Sequence, residues 1–280
     1  MKKYRMIFSD MDGTLLKNAT EISEKNVEMI GKAVACGIDF VICTGRGVYG
    51  VEKFLDQLHL MGRPGYVICQ NGAAVYRLED MQMILKHSFS ADVLRPVVET
   101  ARRMGVEVYL YDDRTFLTEK VTREVQDYCR VMHADMRVLP DGLAYDGHFT
   151  KCLLSGSAEH LKAVRAAVEP LVKQELNCFY SGPEYLEFVK KGVSKGNALR
   201  ETAQKAGVPL SQVIAIGDSD NDLSMIQAAG LGIAVANGQA HVKAAADYIT
   251  ETTCQQDAVA DVIQRFILPD MRENFTSFKS

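Results

Sequence analysis

Arg5-Met6-Ile7-Phe8-Ser9-Asp10-Met11-Asp12-Gly13-Thr14-Leu15-Leu16 is the stretch whose reading decides the fold. A short apolar run stops on two carboxylates spaced two apart. Ile7 and Phe8 suit a strand buried on both faces, as in a parallel sheet. Asp12-Gly13 is a turn signal that takes the chain out of the sheet. In an open α/β sheet, ligands bind in the crevice outside the carboxyl ends of the strands, which makes Asp10 and Asp12 candidate site residues. Ionised side by side, the two acids need a cation or a shared proton. Taken alone, the pair is equally a surface Asp-Gly turn. A calcium loop fits poorly, because the sixth position from Asp10 is Leu15 where Gly is required, and a strand rather than a helix precedes it.

Working outward, residues 23–36 predict a helix with Val27, Ile30, Ala33 and Val34 on one face, Ser23 at its cap and Gly37 at its end. Ile38-Asp39-Phe40-Val41-Ile42-Cys43 reads as a second strand, running into Thr44-Gly45-Arg46-Gly47 and then a helix to about residue 60. Tyr66-Val67-Ile68-Cys69 reads as a third, ending in Gln70-Asn71-Gly72-Ala73. This alternation implies a parallel sheet with right-handed crossovers. The pattern then breaks. Short strands to about residue 88 surround a turn at Glu79-Asp80, amphipathic helices fall at 92–104 and 158–172, and strands at 106–111, 114–118, 150–154, 176–180 and 185–189. Residues 132–147, with turns at Asp141-Gly142 and Asp146-Gly147, read as loop. A smaller α+β domain inserted into the first is expected. From Ser194 the first pattern returns: a helix at 195–206, a strand at 213–216, a short helix at 223–229, a strand at 232–235 ending at Asn237-Gly238, a last helix at 256–266, and a weakly ordered tail after Pro269.

The exit of that late strand, Gly217-Asp218-Ser219-Asp220-Asn221-Asp222, repeats the geometry of the first acidic pair. As a calcium loop it lacks the Gly at its sixth place (Leu223) and the Glu at its twelfth (Ala229). Alone it is also a helix start whose acids the dipole favours. Together with Asp10 and Asp12, an oxygen-ligated divalent ion is the better account, and hard carboxylate and carbonyl oxygens favour Mg²⁺ over zinc or copper. Between the clusters, Thr44 offers a hydroxyl and Gly45 an unhindered N–H at a helix start, where anions bind. Lys195, in Gly192-Val193-Ser194-Lys195-Gly196 at another helix start, is as much a candidate phosphate contact as a solvated lysine.

These residues, in this order and at these strand ends, resemble the four motifs of the haloacid dehalogenase superfamily of phosphatases: Asp10-Met11-Asp12-Gly13-Thr14, Thr44-Gly45-Arg46, Lys195, and Gly217 to Asp222. The gap of about 150 residues from Thr44 to Lys195 resembles the subgroup with a large α/β cap inserted between the second and third motifs. Asn71-Gly72-Ala73 and Gly192-Val193-Ser194-Lys195-Gly196 resemble the Cof-type sugar-phosphate phosphatases. The resemblance implies an α/β fold: a Rossmann-like, doubly wound parallel core sheet of order 3-2-1-4-5 in residues 1–80 and 190–280, with an α+β cap in 81–189 that sets substrate specificity. It implies Mg²⁺-dependent hydrolysis of small phosphorylated metabolites through an aspartyl-phosphate. In that scheme Asp10 is the nucleophile, and Asp12 the general acid and then the base. The Asp10 side chain, the Asp12 carbonyl and Asp218 hold Mg²⁺, with Asp222 behind them. Met11 (through its backbone), Thr44, Gly45, Lys195 and Asn221 cradle the phosphate. Asn71 and Gly72 are expected near the substrate, and Arg46 either reaches it or anchors its loop. Cys69-Gln70 and Phe188-Val189-Lys190-Lys191 depart from the family pattern and leave substrate identity open.

Composition narrows the rest. The chain has 280 residues, is 47% hydrophobic and 24% charged, and carries a net charge of −4, close to globular averages. It has no basic block, so nucleic acid and anionic membranes are not expected partners. No apolar run approaches the roughly 18 residues of a membrane span, and Met1-Lys2-Lys3-Tyr4 shows no signal-peptide pattern. The seven cysteines form no Cys-x-x-Cys spacing and read as free thiols of a reducing compartment; a cytoplasmic monomer or weak homodimer is expected. Histidines 59, 87, 133, 148, 160 and 241 form no cluster that would hold a metal. Two rivals remain: a phosphomutase of the same superfamily, and a sensor that binds a phosphorylated ligand without turnover.

Overall fold

In chain order the elements are β1 (Met6–Ser9), α1 (Glu24–Ala35), β2 (Asp39–Cys43), α2 (Glu52–Gln57), β3 (Tyr66–Cys69), β4 (Ala74–Arg77), β5 (Met83–Lys86), β6 (Phe89–Ser90), α3 (Ala91–Arg103), β7 (Glu107–Tyr111), β8 (Thr115–Thr118), α4 (Arg123–Met132), β9 (Asp135–Val138), β10 (His148–Phe149), β11 (Lys151–Ser155), α5 (Ala158–Val172), β12 (Leu176–Gly182), β13 (Tyr185–Lys190), α6 (Lys195–Lys205), β14 (Val213–Gly217), α7 (Leu223–Ala228), β15 (Leu231–Ala234), α8 (Ala240–Ala245), β16 (Tyr248–Ile249) and α9 (Ala258–Phe266). This computed structural model describes residues 3–269 except 113, 114, 133, 140, 145 and 146. The readings for Arg114, His133 and Asp146 and for the tail beyond Pro269 lie outside the described residues.

β1 sits at the centre of an eight-stranded sheet. Strands β3-β2-β1-β14-β15-β16 run parallel, and β4 and β5 continue the sheet antiparallel beyond β3. The expected order 3-2-1-4-5 is present and extended on both sides. Tyr248–Ile249 adds a sixth parallel strand too short to leave a pattern, and β5 carries the sheet past residue 80, so the boundary expected at 80/81 falls inside the β4–β5 hairpin. Residues alternate across the sheet. Ile7, Ile42, Val67, Ile214 and Ile233 pack with α1, α2 and α9, while Met6, Phe8, Val41, Ile68 and Ala215 pack with α6 and α7. Each fully buried side chain of this kind contributes roughly 2 kcal/mol, so the strand end at Asp10 is rigidly held.

The second unit is a six-stranded sheet of order β12-β13-β11-β7-β8-β9. Its period of two sorts the side chains. Cys152, Leu154, Leu186 and Phe188 face α3 and α5, whereas Tyr109, Tyr111, Phe116 and Leu153 gather on the opposite face with Val125 of α4.

Residues 132–147 and the segment after Gly47 differ from expectation as well. Residues 132–147 are not all loop, because Asp135–Val138 pairs parallel with β8. That strand lies at the sheet edge, is only four residues long and is exposed along its length, Met136 and Val138 included, so the brief alternation of Asp135-Met136-Arg137-Val138 does not stand out from loop. The helix expected after Gly47 starts later, at Glu52, behind a short turn at Val48–Gly50, and Gly45 lies in a bend rather than at a helix start. Among the described residues, no helix is long and apolar enough to cross a membrane.

Candidate active site

The carboxyl ends of β1 and β14 adjoin, and the two acidic loops meet there. Asp10 continues β1, its N–H donating to the Ile216 carbonyl at 2.9 Å. After it the chain makes one widened turn over Met11–Leu15, closed by the Leu16 N–H on the Met11 carbonyl at 2.9 Å. Gly13 makes this turn possible: its φ is +80°, and a Cβ there would lie 2.7 Å from the Asp218 carboxylate. Thr14 Oγ1 donates to Asp218 Oδ1 at 2.8 Å, tying the first loop to the second.

Asp10, Asp218 and Asp222 each bring a carboxylate oxygen within 4.8 Å of the other two. Lys195, at the first turn of α6, is wholly buried and donates from Nζ to Asp10 Oδ1 and to Asp222 Oδ1, each at 2.6 Å. Gly196 lets α6 come this close, since a Cβ there would meet the Ser224 carbonyl at 2.2 Å. Burial alone would lower the lysine's affinity for its proton, but the Asp10 and Asp222 carboxylates outweigh it and raise Lys195 above its ordinary value. Burial raises the Asp10 carboxyl well above its ordinary value against the pull of Lys195, and Asp222, Asp218 and Asp12 push the same way. Burial and Asp222 likewise raise Asp218. One ammonium therefore does not balance the acids, and an all-oxygen donor set short of positive charge fits a hard divalent cation such as Mg²⁺. Asp222 also accepts the N–H groups of Asp218 and Ser219 on Oδ2, at 2.9 and 3.0 Å, so it braces the loop as well as facing the cluster.

Asp12 stands apart from that cluster. Its half-exposed carboxylate is held by Arg46, from Nε at 2.8 Å and from Nη2 at 2.5 Å, and Arg46 also donates to the Ala19 carbonyl at 2.9 Å. Thr44 is fully buried and its Oγ1 accepts the Arg46 N–H at 3.1 Å. Asp10, Asp12, Gly45, Arg46, Ser219 and Asn221 form the core wall of a cavity of about 290 Å³. Its other wall is the cap: Tyr128, Lys151, Leu153, Ser181, Tyr185 and Glu187. The structure thus brings Asp10, Asp12, Gly45, Arg46 and Asn221 to one cavity, with Lys195 and Asp222 behind it. Asn71 and Gly72 do not line it. The Asn71 amide is spent on Glu187 and Asn221, and Gly72 packs against the Ser194 carbonyl.

Sequence reasoning passed over Lys151, Glu187, Tyr128 and Ser181. The signal for the first two is a charge set inside an apolar strand, Lys151-Cys152-Leu153-Leu154 and Leu186-Glu187-Phe188-Val189. It also passed over a role for Asn237, whose Nδ2 donates to the Gly13 carbonyl at 2.7 Å and whose Oδ1 accepts the Cys254 N–H at 2.8 Å. Its position at the carboxyl end of β15 was the available clue.

Comparison with known proteins agrees with this geometry. Residues 7–263 match the model of the haloacid dehalogenase-like hydrolases. The chain belongs to that family. The expected family, fold class and phosphatase class are thereby borne out. The Bacillus subtilis protein YxeH is 30% identical over 271 residues, covering 95% of this chain and 99% of its own. The 5-amino-6-(5-phospho-D-ribitylamino)uracil phosphatase YcsE of Bacillus subtilis is 28% identical over 265 residues, covering 94% of this chain and 96% of its own. A crystal structure of a haloacid dehalogenase-like hydrolase from Bacteroides thetaiotaomicron superposes with a TM-score of 0.85 at 34% identity, covering 94% of this chain and 99% of its own.

Proposed function

We propose that this hydrolase is a Mg²⁺-dependent phosphatase that releases phosphate from small phosphorylated metabolites through an aspartyl-phosphate on Asp10. The observation that carries the reading is the buried Asp10–Lys195–Asp222 triplet, with Asp218 beside it, opening on a cavity that a second domain roofs. In this reading the core comprises residues 1–80 and 190–280 together with the strand at 83–86, and the rest of 81–189 is the cap.

Asp10 attacks phosphorus through a carboxylate oxygen while the bond to the leaving oxygen breaks, and Asp12 delivers the proton that oxygen needs. Asp12 then takes a proton from water, the water oxygen attacks phosphorus, and the bond to Asp10 breaks. Lys195 orients Asp10 by holding Oδ1 and offsets the repulsion between a carboxylate and a phosphate dianion. The Asp10 and Asp218 side chains and the Asp12 carbonyl would hold Mg²⁺, with Asp222 bracing their loop, and the ion would supply positive charge to the phosphoryl group in transfer. The Met11, Thr44 and Gly45 backbone and side-chain donors and the Asn221 amide cradle the phosphate.

The cap wall supports an uncharged, hydroxyl-bearing leaving group. Lys151 and Glu187 neutralise each other and Arg46 is taken by Asp12, while Tyr128, Tyr185 and Ser181 offer hydroxyls beside the apolar Leu153. Sugar and polyol phosphates fit that chemistry, and YcsE is itself named for a phosphorylated ribityl compound.

The test is phosphate release, with and without Mg²⁺, across sugar phosphates, polyol phosphates, nucleotides and bisphosphates, with the Asp10→Asn protein as blank. Metal-dependent release that favours neutral leaving groups supports the reading. Release only in the presence of a bisphosphate activator would point to a mutase, and binding without release to a sensor.

A further inference from the structure

The cap touches the phosphate-binding loops through one buried polar chain. Glu187 Oε2 accepts from Asn71 Nδ2 at 2.9 Å, and Asn71 Oδ1 accepts from Asn221 Nδ2 at 3.0 Å. Lys151, on the strand beside Glu187, lies 3.5 Å from its carboxylate and donates to the Gly45 carbonyl at 3.1 Å. Both charged side chains are all but sealed from solvent, at 3% and 6% exposure. The core side of the junction is strained: Gln70 and Asn71, neither a glycine, have successive φ values of +51° and +58°. That strain presents the Asn71 amide to the cap on one side and to Asn221 on the other.

We propose that Glu187 is a positioning residue: when the cap closes, its carboxylate fixes the polarity of the Asn71 amide and, through it, that of Asn221. The inference rests on the phosphatase reading above, in which Asn221 contacts phosphate. A carboxylate only accepts hydrogen bonds, whereas an amide offers a donor end and an acceptor end. Glu187 therefore demands the NH₂ end of Asn71. That leaves the Asn71 carbonyl for Asn221, which must donate to it and cannot turn over. Without that carboxylate on the Asn71 NH₂, both amides are free to flip and the cradle is unset. Lys151 closes the same contact from its side by clamping Gly45. Lys151 and Glu187 pair with each other within the cap, and each adds a directional hydrogen bond to the core, to the Gly45 carbonyl and to the Asn71 amide, which favours one arrangement of the two halves over several.

The decisive experiment swaps the polarity. Glu187→Gln, Asn71→Asp and the double variant are assayed with Mg²⁺ and p-nitrophenyl phosphate, reading kcat and KM separately, with a thermal melt of each protein. Glu187→Gln lets either amide flip and should lower kcat about tenfold or more with little change in KM. Asn71→Asp sets two carboxylates face to face and should lower it further. In the double variant residue 71 only accepts, residue 187 donates to it and Asn221 again must donate, so kcat should return to within about threefold of wild type. Wild-type kcat in Glu187→Gln, or a double variant no better than its worse parent, overturns the proposal. If a single variant fails to fold, the double decides alone by the same criterion. If wild type releases no phosphate from any ester, the phosphatase reading fails, and amide hydrogen exchange at residues 70–73 still judges the coupling. Protection lost in Glu187→Gln and regained in the double supports it; protection unchanged in Glu187→Gln, or not regained in the double, overturns it.

Discussion

Arg46 holds Asp12 in a two-pronged ion pair, Nε to Oδ2 at 2.8 Å and Nη2 to Oδ1 at 2.5 Å, with the guanidinium almost wholly buried and the carboxylate about half exposed. In this state Asp12 only accepts hydrogen bonds. In the proposed mechanism the substrate must loosen one prong before Asp12 can transfer a proton, which would make Arg46 a gate on the acid as well as an anchor for its loop. Lys at this position keeps the charge but loses the planar fork, and leaves the Ala19 carbonyl without its donor. Arg46→Lys should lower kcat/KM for p-nitrophenyl phosphate by about tenfold or more, the worth of one charge-assisted hydrogen bond. Steady-state kinetics beside a thermal melt will check this; unchanged kinetics would remove Arg46 from the site.

Asp10→Asn keeps the shape of the nucleophile and removes its charge. Turnover should fall on the order of a thousandfold or more, the scale seen when a nucleophile is deleted. Folding should survive, because Asp222 still pairs with Lys195 and the β1 contacts are untouched. The checks are phosphate release and circular dichroism. Near-normal turnover would reassign the nucleophile.

Metal should stabilise the folded chain. Burial raises the carboxyls of both Asp10 and Asp218, and their acidic neighbours raise them further. Without a cation, their ionised forms are therefore penalised in the folded state, and the penalty is full above the raised folded-state values and fades as pH falls through them. A cation that binds the native state at a hundred times its Kd adds about 2.7 kcal/mol, which in a chain of this size is on the order of 5 °C in Tm. Scanning fluorimetry with Mg²⁺ at pH 7.5 should show that rise. It should shrink at pH 5.5, where protons compete for the same oxygens, and largely vanish in Asp218→Asn. An equal rise in Asp218→Asn would place the ion elsewhere.

Legibility in the sequence tracked the kind of contact each residue makes. Asp10, Thr44 and Asp218 end apolar strands, so a continuous apolar run and a turn signal reveal them. β9 and β16 escaped because one is a four-residue edge strand exposed along its length and the other is two residues long. Lys151 and Glu187 escaped for a different reason. Each follows from a partner across the cap boundary, such as the Glu187–Asn71 contact 116 residues apart, and no local periodicity encodes a pairing at that range. The family resemblance puts Asn71 near the substrate; the structure turns its amide toward protein on both sides.

Lys195 is the residue on which stability and chemistry depend together. Its ammonium is wholly buried between Asp10 and Asp222, and no other cation touches either carboxylate among the contacts described. Lys195→Met matches its length and removes its charge, leaving two acids facing each other inside the protein. Breaking a buried pair by deleting one partner costs about 3–5 kcal/mol, so the variant should melt markedly lower in metal-free buffer. Mg²⁺ should recover part of that loss, because it supplies positive charge to the same oxygens, yet turnover should stay low, since the orienting contact on Asp10 Oδ1 is gone. Thermal melts with and without Mg²⁺, run beside the phosphate assay, separate the two roles: partial recovery of Tm without recovery of kcat is expected, and recovery of both would reduce Lys195 to a structural counter-ion.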